Sequence, residues 1–550
     1  MILSTSAHVD TFCRDSLPLQ EQWPTFTFPL PELRYPARLN CAAELLDGAI
    51  ARYGPSRVCL RAPGRRPWTY GELRRRTDRI AHVLVDELHL VPGNRVLLRG
   101  PNSPWTVACW LAVLRAGCVA VTTMPLLREP ELTELIDRTA PSVALCDARL
   151  AAPMIRAAEG SGTRVVTFGA DDPGDLTSRC ARRARYDLPF HPVQTAADDV
   201  ALLAPTSGTT GRPKITMHFH RDVLANADTF ARHVLRPRGD DLFIGSPPIG
   251  FTFGLGGLVV FPMRVGASVL LLERGSPDEL ADAIAESGAT VLFTAPTGYR
   301  AMLAEGRSER LATLRRAVSA GEPLPAAVWH AFHEATGVRI IDGIGATEML
   351  HIFVSAGDGD IRPGTTGRAV PGYTAAVLDE EGRRAPDGTP GRLAVIGPTG
   401  CRYLRDPRQR EYVRGGWNVT GDTYVRDRDG YFHYRARSDD MIISAGYNIA
   451  GPEVEQVLLG HPDVLDCGVV GAPDPLRGRV VAAYVVARAE RLGDAASADL
   501  LRKELQEFVK QSIAPYKYPR RLEFVPALPR SSTGKLQRYR LREQAEEADR

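Results

Sequence analysis

The sequence predicts an α/β protein of at least two domains. Its 550 residues far exceed the roughly 250 to 300 at which a single hydrophobic core stops growing. Between about residues 70 and 345, short β-branched runs alternate with amphipathic stretches. This is the pattern of buried, mostly parallel strands joined by helices. The composition changes after residue 365, and the last part of the chain has its own pattern of helices and strands. Both features predict further, smaller domains.

Seven apolar runs in the first region have the length and β-branched content of buried strands. They are RVLLR (95–99), SVALC (142–146), RVVTF (164–168), VALLA (200–204), SVLLLE (268–273), TVLFT (290–294) and VRIID (338–342). One helix start is also well marked. Ser276 is a candidate N-cap, Pro277 suits the first helical position and Glu279 completes a capping box, so a helix is predicted to begin at Pro277.

Two smaller units follow along the chain. Residues 365–437 form short segments rich in Gly, Pro and Arg, which favour a small antiparallel or barrel-like subdomain. The tail contains PEVEQVLLG, VLDCGVVG, RVVAAYVVA and the long stretch 498–512, which predict a separate α+β domain with the order helix, strand, strand, helix. We place the boundary beside Ser438, which gives an N-terminal domain of residues 1–438 and a C-terminal domain of residues 439–550.

The composition excludes several classes of protein. A net charge of +3 over this length does not indicate a nucleic-acid partner or an anionic membrane. The two most apolar stretches, 108–127 and 254–272, are interrupted by Arg115 and Arg264, so no membrane span is expected. The first residues lack a basic start followed by an apolar run, and nine cysteines without a CxxC pair suggest neither zinc nor disulfides. We therefore expect a cytoplasmic protein.

The strongest local signal is TSGTTGRPK, which runs from Thr206 to Lys214 directly after the strand VALLA. Small hydroxylated and glycine residues let backbone N–H groups converge on phosphate oxygens. The string is not a Walker A loop, because that motif needs four residues between its glycines and a Lys followed by Ser or Thr. Taken alone, such a cluster indicates either a solvated turn or a phosphate-binding loop of another kind, and the full nine-residue string is more specific than the cluster.

Lysine is rare in this chain. Only five of its 68 basic residues are lysines, and the other 63 are arginines. Arginine cannot replace lysine where a compact point charge is required, so the remaining lysines are candidates for such sites. Lys535 lies in a Ser/Thr/Gly-rich string, PRSSTGK (529–535), and is one of these candidates.

These strings together resemble the acyl-adenylate-forming superfamily, which contains acyl-CoA synthetases, nonribosomal peptide adenylation domains and firefly luciferase. TSGTTGRPK is similar to the superfamily's phosphate loop. The other signatures follow in the expected order: GIGATE (343–348), TGD (420–422), YRARSDD (434–440), SAGYNIAGPEVE (444–455) and PRSSTGK. The resemblance covers about residues 40 to 540. It implies a large N-terminal domain of doubly wound sheets with a barrel-like subdomain, followed by a small mobile α+β domain that carries the catalytic lysine.

The resemblance assigns nucleotide-binding and catalytic roles to particular positions. Thr347 would donate to the α-phosphate, Glu348 would hold Mg²⁺, and Lys535 would bridge the substrate carboxylate and the α-phosphate. Asp439 would be the hinge of the small domain. Ile344 departs from the pattern, because many relatives have a tyrosine there that stacks on adenine. The resemblance implies that the loop SAGEPLP (319–325), together with Asp342 and Gly343, frames the adenine, that Asp422 accepts from the ribose hydroxyls, and that Arg437 donates to ribose or phosphate. The expected ATP-binding residues are Thr206, Ser207, Gly208, Thr209, Thr210, Gly211, Lys214, Gly321, Glu322, Pro323, Asp342, Gly343, Ile344, Asp422, Tyr434 and Arg437.

Within the superfamily, SPPIGFTFGLGGLVVFPMRVGAS (246–268) and DGIGATEMLHIFVS (342–355) resemble benzoate:CoA and 2-aminobenzoate:CoA ligases. The resemblance implies a flat aryl pocket in which His351 either contacts a ring substituent or is a hydrogen-bonded core histidine. Small residues would leave width and aromatic residues would offer faces to the ring. The expected lining is Phe251, Phe253, Gly254, Gly345, His351 and Ile352.

The predicted reaction is ATP- and Mg²⁺-dependent conversion of a small aromatic carboxylate, benzoate-like or aminobenzoate-like, to acyl-AMP, followed by transfer to coenzyme A. The coenzyme A positions implied by the resemblance are Ser444, Gly446, Tyr447, Arg477 and Arg479. The sequence leaves open the ring substituents, a homodimeric state, and a carrier-protein thiol, an amine or another nucleophile as acceptor. Two other classes of protein fit the sequence less well. AVSAG (317–321) only approximates the elbow of an α/β-hydrolase, and the retained Lys535, Glu348 and Asp422 disfavour a non-catalytic nucleotide-binding protein.

Overall fold

The computed structural model of the chain describes residues 3–170, 172–184, 188–206, 213–304, 306, 308–437, 440–444, 447–474, 478–513, 515–530 and 535–547. Strands of the first 369 residues are β1 (Val58–Arg61), β2 (Trp68–Thr69), β3 (Arg95–Arg99), β4 (Val119–Thr123), β5 (Val143–Asp147), β6 (Arg164–Phe168), β7 (Val200–Thr206), β8 (Lys214–Phe219), β9 (Leu242–Gly245), β10 (Ser268–Leu270), β11 (Val291–Thr294), β12 (Arg316–Ser319), β13 (Ile340–Gly345), β14 (Ile352–Ser355) and β15 (Arg368–Ala369). Later strands are β16 (Thr374–Leu378), β17 (Pro390–Ile396), β18 (Val413–Arg414), β19 (Trp417–Arg426), β20 (Phe432–Arg437), β21 (Met441–Ser444), β22 (Tyr447–Ala450), β23 (Val464–Asp474), β24 (Gly478–Ala487) and β25 (Arg521–Phe524).

Helices alternate with the strands of the first region and frame the last sheet. The α-helices are α1 (Phe12–Asp15), α2 (Cys41–Tyr53), α3 (Tyr70–His82), α4 (Pro104–Arg115), α5 (Glu129–Thr139), α6 (Ala151–Ala158), α7 (Leu176–Arg183), α8 (His220–Asn226), α9 (Thr252–Leu255), α10 (Phe261–Arg264), α11 (Pro277–Ser287), α12 (Pro296–Ala304), α13 (Ala326–Thr336), α14 (Gln409–Tyr412), α15 (Gly451–Leu458), α16 (Ala495–Ser512) and α17 (Arg538–Glu547). Short π-helical segments are Val83–Glu87, Ala227–Leu235 and Gly256–Val260. Short 3-10 helices are Gln20–Gln22, Pro31–Leu33, Ala148–Leu150, Ser308–Leu311, Thr347–Met349, Asp358–Asp360, Ala489–Arg491 and Pro515–Lys517.

Two large, mostly parallel sheets form the first region. One has the strand order β6-β5-β3-β4-β7-β8, and only β8 runs antiparallel to its neighbour. The other has the order β15-β14-β13-β12-β11-β9-β10-β1-β2 and is parallel from β13 to β1. All seven sequence-predicted strands are present in these sheets, which confirms the predicted α/β class.

Both sheets are covered by helices on their two faces. Val96 and Leu98 of β3 belong to a core shared with α2, α3 and α4, whereas Leu97 belongs to a core shared with α5 and α6. The second sheet divides in the same way, with Phe243 in the first core and Ile244 in a core with α11 and α13. Successive side chains of a strand point to opposite faces, so the strands are buried on both sides and read as continuous apolar runs.

Arg115, which interrupts the apolar stretch 108–127, is buried at the end of α4. Its guanidinium donates to Asp47 of α2 and, at 2.8 Å, to Asp78 of α3. A buried charge needs such partners to offset its desolvation, so this arginine ties three helices together.

None of the helices in the described ranges combines the length and the apolar character that a transmembrane segment requires.

The remaining strands form two smaller sheets. Strands β16 to β20 make an antiparallel sheet in the order β16-β17-β19-β18, with β20 paired to β19, as expected for residues 365–437. Strands β21 to β25 make a mixed sheet that packs against α15 and α16 on one face and α17 on the other. Helix α16 begins at Ala495, three residues before the predicted stretch, because Asp494 caps it by accepting from the Ser497 N–H at 2.7 Å. The predicted boundary residues Ser438 and Asp439 lie outside the described residues.

The predicted capping box at α11 is confirmed. Ser276 Oγ accepts from the Glu279 N–H, and the Glu279 carboxylate accepts from the Ser276 N–H. We expect Ser276→Ala to lower the free energy of unfolding by about 1 kcal/mol, because one helix N–H loses its partner. Ser276→Thr keeps the hydroxyl and is the control. Urea unfolding followed by circular dichroism measures the difference, and equal midpoints for Ser276→Ala and the wild type would contradict the assignment.

Candidate active site

A short 3-10 helix, Thr347–Met349, lies just beyond the end of β13. Ligands of open α/β sheets bind near the carboxyl ends of parallel strands. Each residue of this turn accepts one hydrogen bond from another part of the chain. The Thr347 carbonyl accepts from His218 Nε2 at 2.8 Å, the Glu348 carboxylate accepts from the Tyr403 hydroxyl, and the Met349 carbonyl accepts from Thr399 Oγ1 at 2.9 Å. The backbone and the carboxylate of the turn are therefore held from three sides.

Tyr403 connects this turn to the predicted phosphate-binding strands. Its segment pairs with β8, where Leu404 N–H donates to the Ile215 carbonyl at 2.8 Å. Burial raises the pKa of the Tyr403 hydroxyl far above its usual range, so it stays protonated and donates to Glu348. Lys214 Nζ lies 5.2 Å from the centre of the Tyr403 ring. Lys214, Tyr403 and Glu348 therefore form one contiguous group.

Beneath the turn lies a buried ion pair between Arg402 and Asp222. Neither side chain is exposed to solvent, and the Arg402 guanidinium lies 3.9 Å from the centre of the Phe219 ring. Burial alone would raise the pKa of Asp222, but Arg402 holds that pKa below its usual value. His218, which contacts Thr347, lies 3.9 Å from the same carboxylate.

The predicted phosphate loop is described only at its two ends. Thr206 ends β7, Lys214 begins β8, and the two residues pair across the antiparallel ladder. Ser207, Gly208, Thr209, Thr210 and Gly211 lie outside the described residues. The loop therefore leaves and re-enters the six-stranded sheet on neighbouring strands, beside Tyr403.

The residues expected around adenine lie on β13 and on the loop after β12. Gly321 has φ +93°, a left-handed conformation that favours glycine. Pro323 follows Glu322, whose carboxylate accepts from Thr297 Oγ1 at 3.0 Å. Gly343 and Ile344 lie on β13, and Ile344 packs against the main core. The packing of Ile344 on adenine, in place of tyrosine stacking, stays a prediction.

Asp342, also on β13, has an unusual carboxyl group. Its Oδ1 atom is buried without a hydrogen-bond partner among the described residues. Burial raises the pKa of Asp342 to about 7. The carboxyl can therefore change its charge near neutral pH, where an ordinary aspartate cannot.

The residues expected at the ribose lie on the antiparallel sheet. Asp422 on β19 is opposite Arg437 on β20 in the register. Tyr434, on the same strand as Arg437, packs its ring 5.5 Å from that of Tyr424. The Arg437 side chain lies outside the described part of the structure, so only the backbone placement of this pair is established.

The predicted aryl pocket contains a histidine enclosed by aromatic rings. His351 is only 4% exposed, and its ring centre lies 4.6 Å from that of Phe261 and 5.5 Å from those of Phe230 and Phe253. Neither ring nitrogen makes a hydrogen bond to a side chain among the described residues. Burial lowers the pKa of His351 to about 3, although the Phe253 backbone partly opposes this shift, so the imidazole is neutral. Both alternatives for His351, a hydrogen-bonded core histidine and a contact to a ring substituent, stay predictions.

The two glycines of the pocket are required by close backbone contacts. A Cβ at Gly254 would lie 2.1 Å from the Pro248 carbonyl oxygen, and one at Gly345 would lie 2.8 Å from the His351 carbonyl carbon. Ile352 is buried on β14, where its side chain packs over Gly343. From the sequence, we expected glycine at these positions because small residues would leave the pocket wide. In the structure, glycine is required because neighbouring backbone atoms lie where a Cβ would be.

Lys535 reaches this pocket from the C-terminal part of the chain. Its Nζ atom lies 5.6 Å from the centre of the Phe251 ring, and its Cε atom lies 3.6 Å from the position of a Cβ on Gly321. Phe251 precedes α9, and Gly321 belongs to the loop expected at adenine. The structure thus places the predicted catalytic lysine between the predicted aryl pocket and the predicted nucleotide site.

The coenzyme A positions are less well defined. Ser444 is buried at the end of β21, opposite Gly478. Arg479 donates to the Gly471 carbonyl at 3.0 Å and lies 3.7 Å from Glu546, so it is engaged within the C-terminal region. Gly446, Arg477 and the predicted hinge Asp439 lie outside the described residues, as does the side chain of Tyr447.

The sequence alone does not reveal four neighbours of the site, which are His218, Asp222, Arg402 and Tyr403. A histidine and an aspartate near a strand end carry no special signal. Arg402 is one of 63 arginines, and Tyr403 stands in a region predicted only as a small antiparallel unit. Their importance depends on the pairing of residues 402–404 with β8, almost 190 residues earlier in the chain.

The fold and the site together define a nucleotide-dependent ligase, and the chain belongs to the AMP-binding enzyme family. The family model matches residues 47–402, and the model of the AMP-binding enzyme C-terminal domain matches residues 453–535. The resemblance to the acyl-adenylate-forming superfamily is thereby confirmed.

Individual relatives are aromatic-acid ligases. The chain is 35% identical to benzoate–CoA ligase of Thauera aromatica, over 93% of this chain and 97% of the relative. Among solved structures, the anthranilate CoA ligase AuaEII in complex with anthranoyl-AMP has a TM-score of 0.87 and 32% identity, over 94% of this chain and 99% of that one. A benzoate CoA ligase from Burkholderia xenovorans LB400 has a TM-score of 0.82 and 32% identity, over 92% and 100%.

The raised pKa of Asp342 predicts a pH-dependent loss of stability. The folded-state pKa of about 7 exceeds the usual value of 3.8, so the carboxyl destabilises the fold increasingly as the pH rises between these values and by a constant amount above them. We expect Asp342→Asn to be more stable than the wild type at pH 8, with the difference disappearing toward pH 4.

The measurement is the difference in Tm between the wild type and Asp342→Asn, without ligands, across this pH range. Taking the difference cancels the titration of every other group. Asp240→Asn, at an exposed position, is the control and should track the wild type. A difference between Asp342→Asn and the wild type that does not vary with pH would contradict the raised pKa.

Proposed function

We propose that this chain activates a small aromatic carboxylate with ATP and Mg²⁺, releases pyrophosphate, and transfers the acyl group from acyl-AMP to coenzyme A. The observation that carries this proposal is the position of Lys535 between Phe251 and Gly321. A lysine there can contact both a carboxylate in the aryl pocket and the α-phosphate of a nucleotide bound beside Gly321. The similarity to aromatic-acid CoA ligases over almost the whole chain supports the same reaction.

The first step joins the substrate to AMP. A carboxylate oxygen attacks the α-phosphorus of ATP, the bond between that phosphorus and the bridging oxygen of the leaving group breaks, and pyrophosphate departs. This displacement requires alignment and charge neutralisation more than a protein nucleophile. Lys535 supplies a positive charge between the reacting groups, and Thr347, held through its carbonyl by His218, donates its hydroxyl to the α-phosphate.

Glu348 fits the role of metal ligand, since Mg²⁺ prefers carboxylate oxygen. Tyr403 donates to one oxygen of this carboxylate, and the other is the ligand that we assign to the ion. The protonated Tyr403 hydroxyl orients the Glu348 carboxylate. Mg²⁺ supplies charge neutralisation at the nucleotide phosphates when it is bound.

The second step transfers the acyl group to a thiol. The sulfur of coenzyme A attacks the acyl carbon, the thiol proton is released, and AMP leaves with the electron pair of the broken C–O bond. A carrier-protein thiol or an amine could attack the same carbon, and these acceptors are the alternative that acceptor dependence tests. The positions assigned to coenzyme A, from Ser444 to Arg479, stay predictions.

The environment of His351 indicates a polar substituent on the aryl ring. A buried polar atom without a hydrogen bond costs on the order of 1–3 kcal/mol. The Phe253 backbone can serve at most one of the two nitrogens of the buried His351 ring, so at least one nitrogen is in this state. An amino or hydroxyl group on a ring bound beside Phe253 would supply a partner. We therefore place an amino- or hydroxybenzoate before unsubstituted benzoate in the order of expected substrates.

The decisive experiment is carboxylate-dependent pyrophosphate release by the purified protein with ATP and Mg²⁺. The panel contains benzoate, aminobenzoates, hydroxybenzoates, cinnamates and short fatty acids, each with and without coenzyme A. We expect one aryl acid to give turnover that rises with coenzyme A. Release that does not respond to coenzyme A would favour another acceptor, and no release with any acid would refute the proposed activation.

The proposed role of Lys535 predicts a selective loss of adenylation. We expect Lys535→Ala to lower the rate of pyrophosphate release by about 10² to 10³-fold, the usual effect of removing one electrostatic contact to a transition state. Lys503→Ala removes an exposed lysine on α16 and is the matched control. Both variants should keep the wild-type Tm. Near wild-type release by Lys535→Ala would remove this lysine from the mechanism.

A further inference from the structure

Backbone contacts join the segment that ends at Arg530 to the residues directly after Lys535. Arg530 and Leu536 form an antiparallel bridge, and the Gln537 N–H donates to the Pro529 carbonyl at 2.8 Å. The backbone that follows Lys535 is thereby tied to Arg530. Any contact that fixes Arg530 also restricts where the lysine side chain can reach.

Arg530 is fixed by two carboxylates from different parts of the chain. Its Nη1 atom donates to Glu322 Oε1 at 3.0 Å, and its Nη2 atom donates to Asp466 Oδ2 at 2.7 Å. Glu322 directly follows Gly321, the residue beside Lys535. Asp466 lies on β23 of the C-terminal sheet. One guanidinium therefore links the backbone next to Lys535, the C-terminal sheet and the loop expected at adenine.

A second arginine extends these contacts to α12. Arg300 Nη2 lies 2.9 Å from Asp466 Oδ1, and Thr297, also on α12, donates to Glu322 Oε2 at 3.0 Å. Both oxygens of Asp466 and both oxygens of Glu322 thus have a partner. We call the four residues Arg300, Asp466, Arg530 and Glu322 the Arg530 ion network. Its side chains are between 15% and 27% exposed, so it is partly shielded from solvent.

We propose that the Arg530 ion network positions Lys535 between Phe251 and Gly321 for acyl-AMP formation. This proposal rests on the proposed function of Lys535. Within the described ranges, Asp466 and Arg300 have no hydrogen bond or ion pair to the residues assigned to the aryl pocket or to ATP, so they act as positioning residues through Arg530. The second step no longer needs a cation between carboxylate and α-phosphate, because that bond has already formed. The network should therefore matter for the first step and not for the second.

The test compares the two steps in variants that remove one charge and keep the size of the side chain. Asp466→Asn and Arg300→Gln should lower single-turnover pyrophosphate release without coenzyme A by about tenfold, since a displacement of about 1 Å in a reacting group can cost up to about 10²-fold. The rate of transfer to coenzyme A from supplied aroyl-AMP should stay within about twofold of the wild-type rate, which is small beside the tenfold loss expected in the first step.

Two controls separate positioning from general damage. Asp282→Asn removes the exposed ion pair between Asp282 and Arg310 on the same side of the second sheet and should leave both steps unchanged. Asp466→Glu keeps the carboxylate and should recover most of the first step. Salt provides a further readout, because partly exposed ion pairs are screened at high ionic strength. Raising the salt concentration should slow the first step more in the wild type than in Asp466→Asn.

The outcomes distinguish this proposal from the proposed function. If the wild type shows no carboxylate-dependent pyrophosphate release, the proposed function fails and the ion network loses its role with it. An active wild type with equal first-step rates in Asp466→Asn overturns the positioning role alone. A similar loss in both steps, or a fall in Tm that Asp466→Glu does not reverse, means that Asp466 serves folding and also overturns it.

Discussion

Arg402 and Asp222 carry opposite charges in a part of the protein that water does not reach. Removing two charges from water is costly, and their attraction compensates only when the partners stay in close contact. This constraint holds the segment around Arg402 against β8 and α8, whose first residues include Asp222. Tyr403 and His218 then hydrogen-bond to the turn that contains Thr347 and Glu348 from two sides. The position of Glu348, the predicted metal ligand, thus depends on the buried ion pair of Arg402 and Asp222.

The site is assembled from distant parts of the chain. Strand β8, the neighbour of β7, belongs to one large sheet and β13 belongs to the other. His218 of β8 donates to the Thr347 carbonyl at 2.8 Å across 129 residues of sequence, and this contact joins the predicted phosphate-binding strands to the turn after β13. The C-terminal region adds Lys535 from outside the two large sheets.

In the predicted aryl pocket, the same residues serve both packing and chemistry. Gly254 and Gly345 permit close backbone contacts, and the surrounding phenylalanines bury His351 so deeply that its ring is neutral. An imidazolium in that place would attract anions and repel the ammonium form of an amine. A neutral ring can instead donate or accept one hydrogen bond, which suits an uncharged substituent on an aromatic acid.

Sequence alone determined the α/β class, the strands, the capping box at Ser276 and the family, because these depend on local patterns of burial, on helix capping and on strings of several consecutive residues. It also singled out Lys535, since lysine is rare here. Tertiary structure alone decided which side chains support the site. Tyr403, Arg402, Asp222 and His218 gain their roles from strand pairing between distant segments, and Arg530 from carboxylates more than 60 residues away. Such contacts leave no periodicity in the chain, because the energy of a buried charge depends on its neighbours in space rather than on its neighbours in sequence.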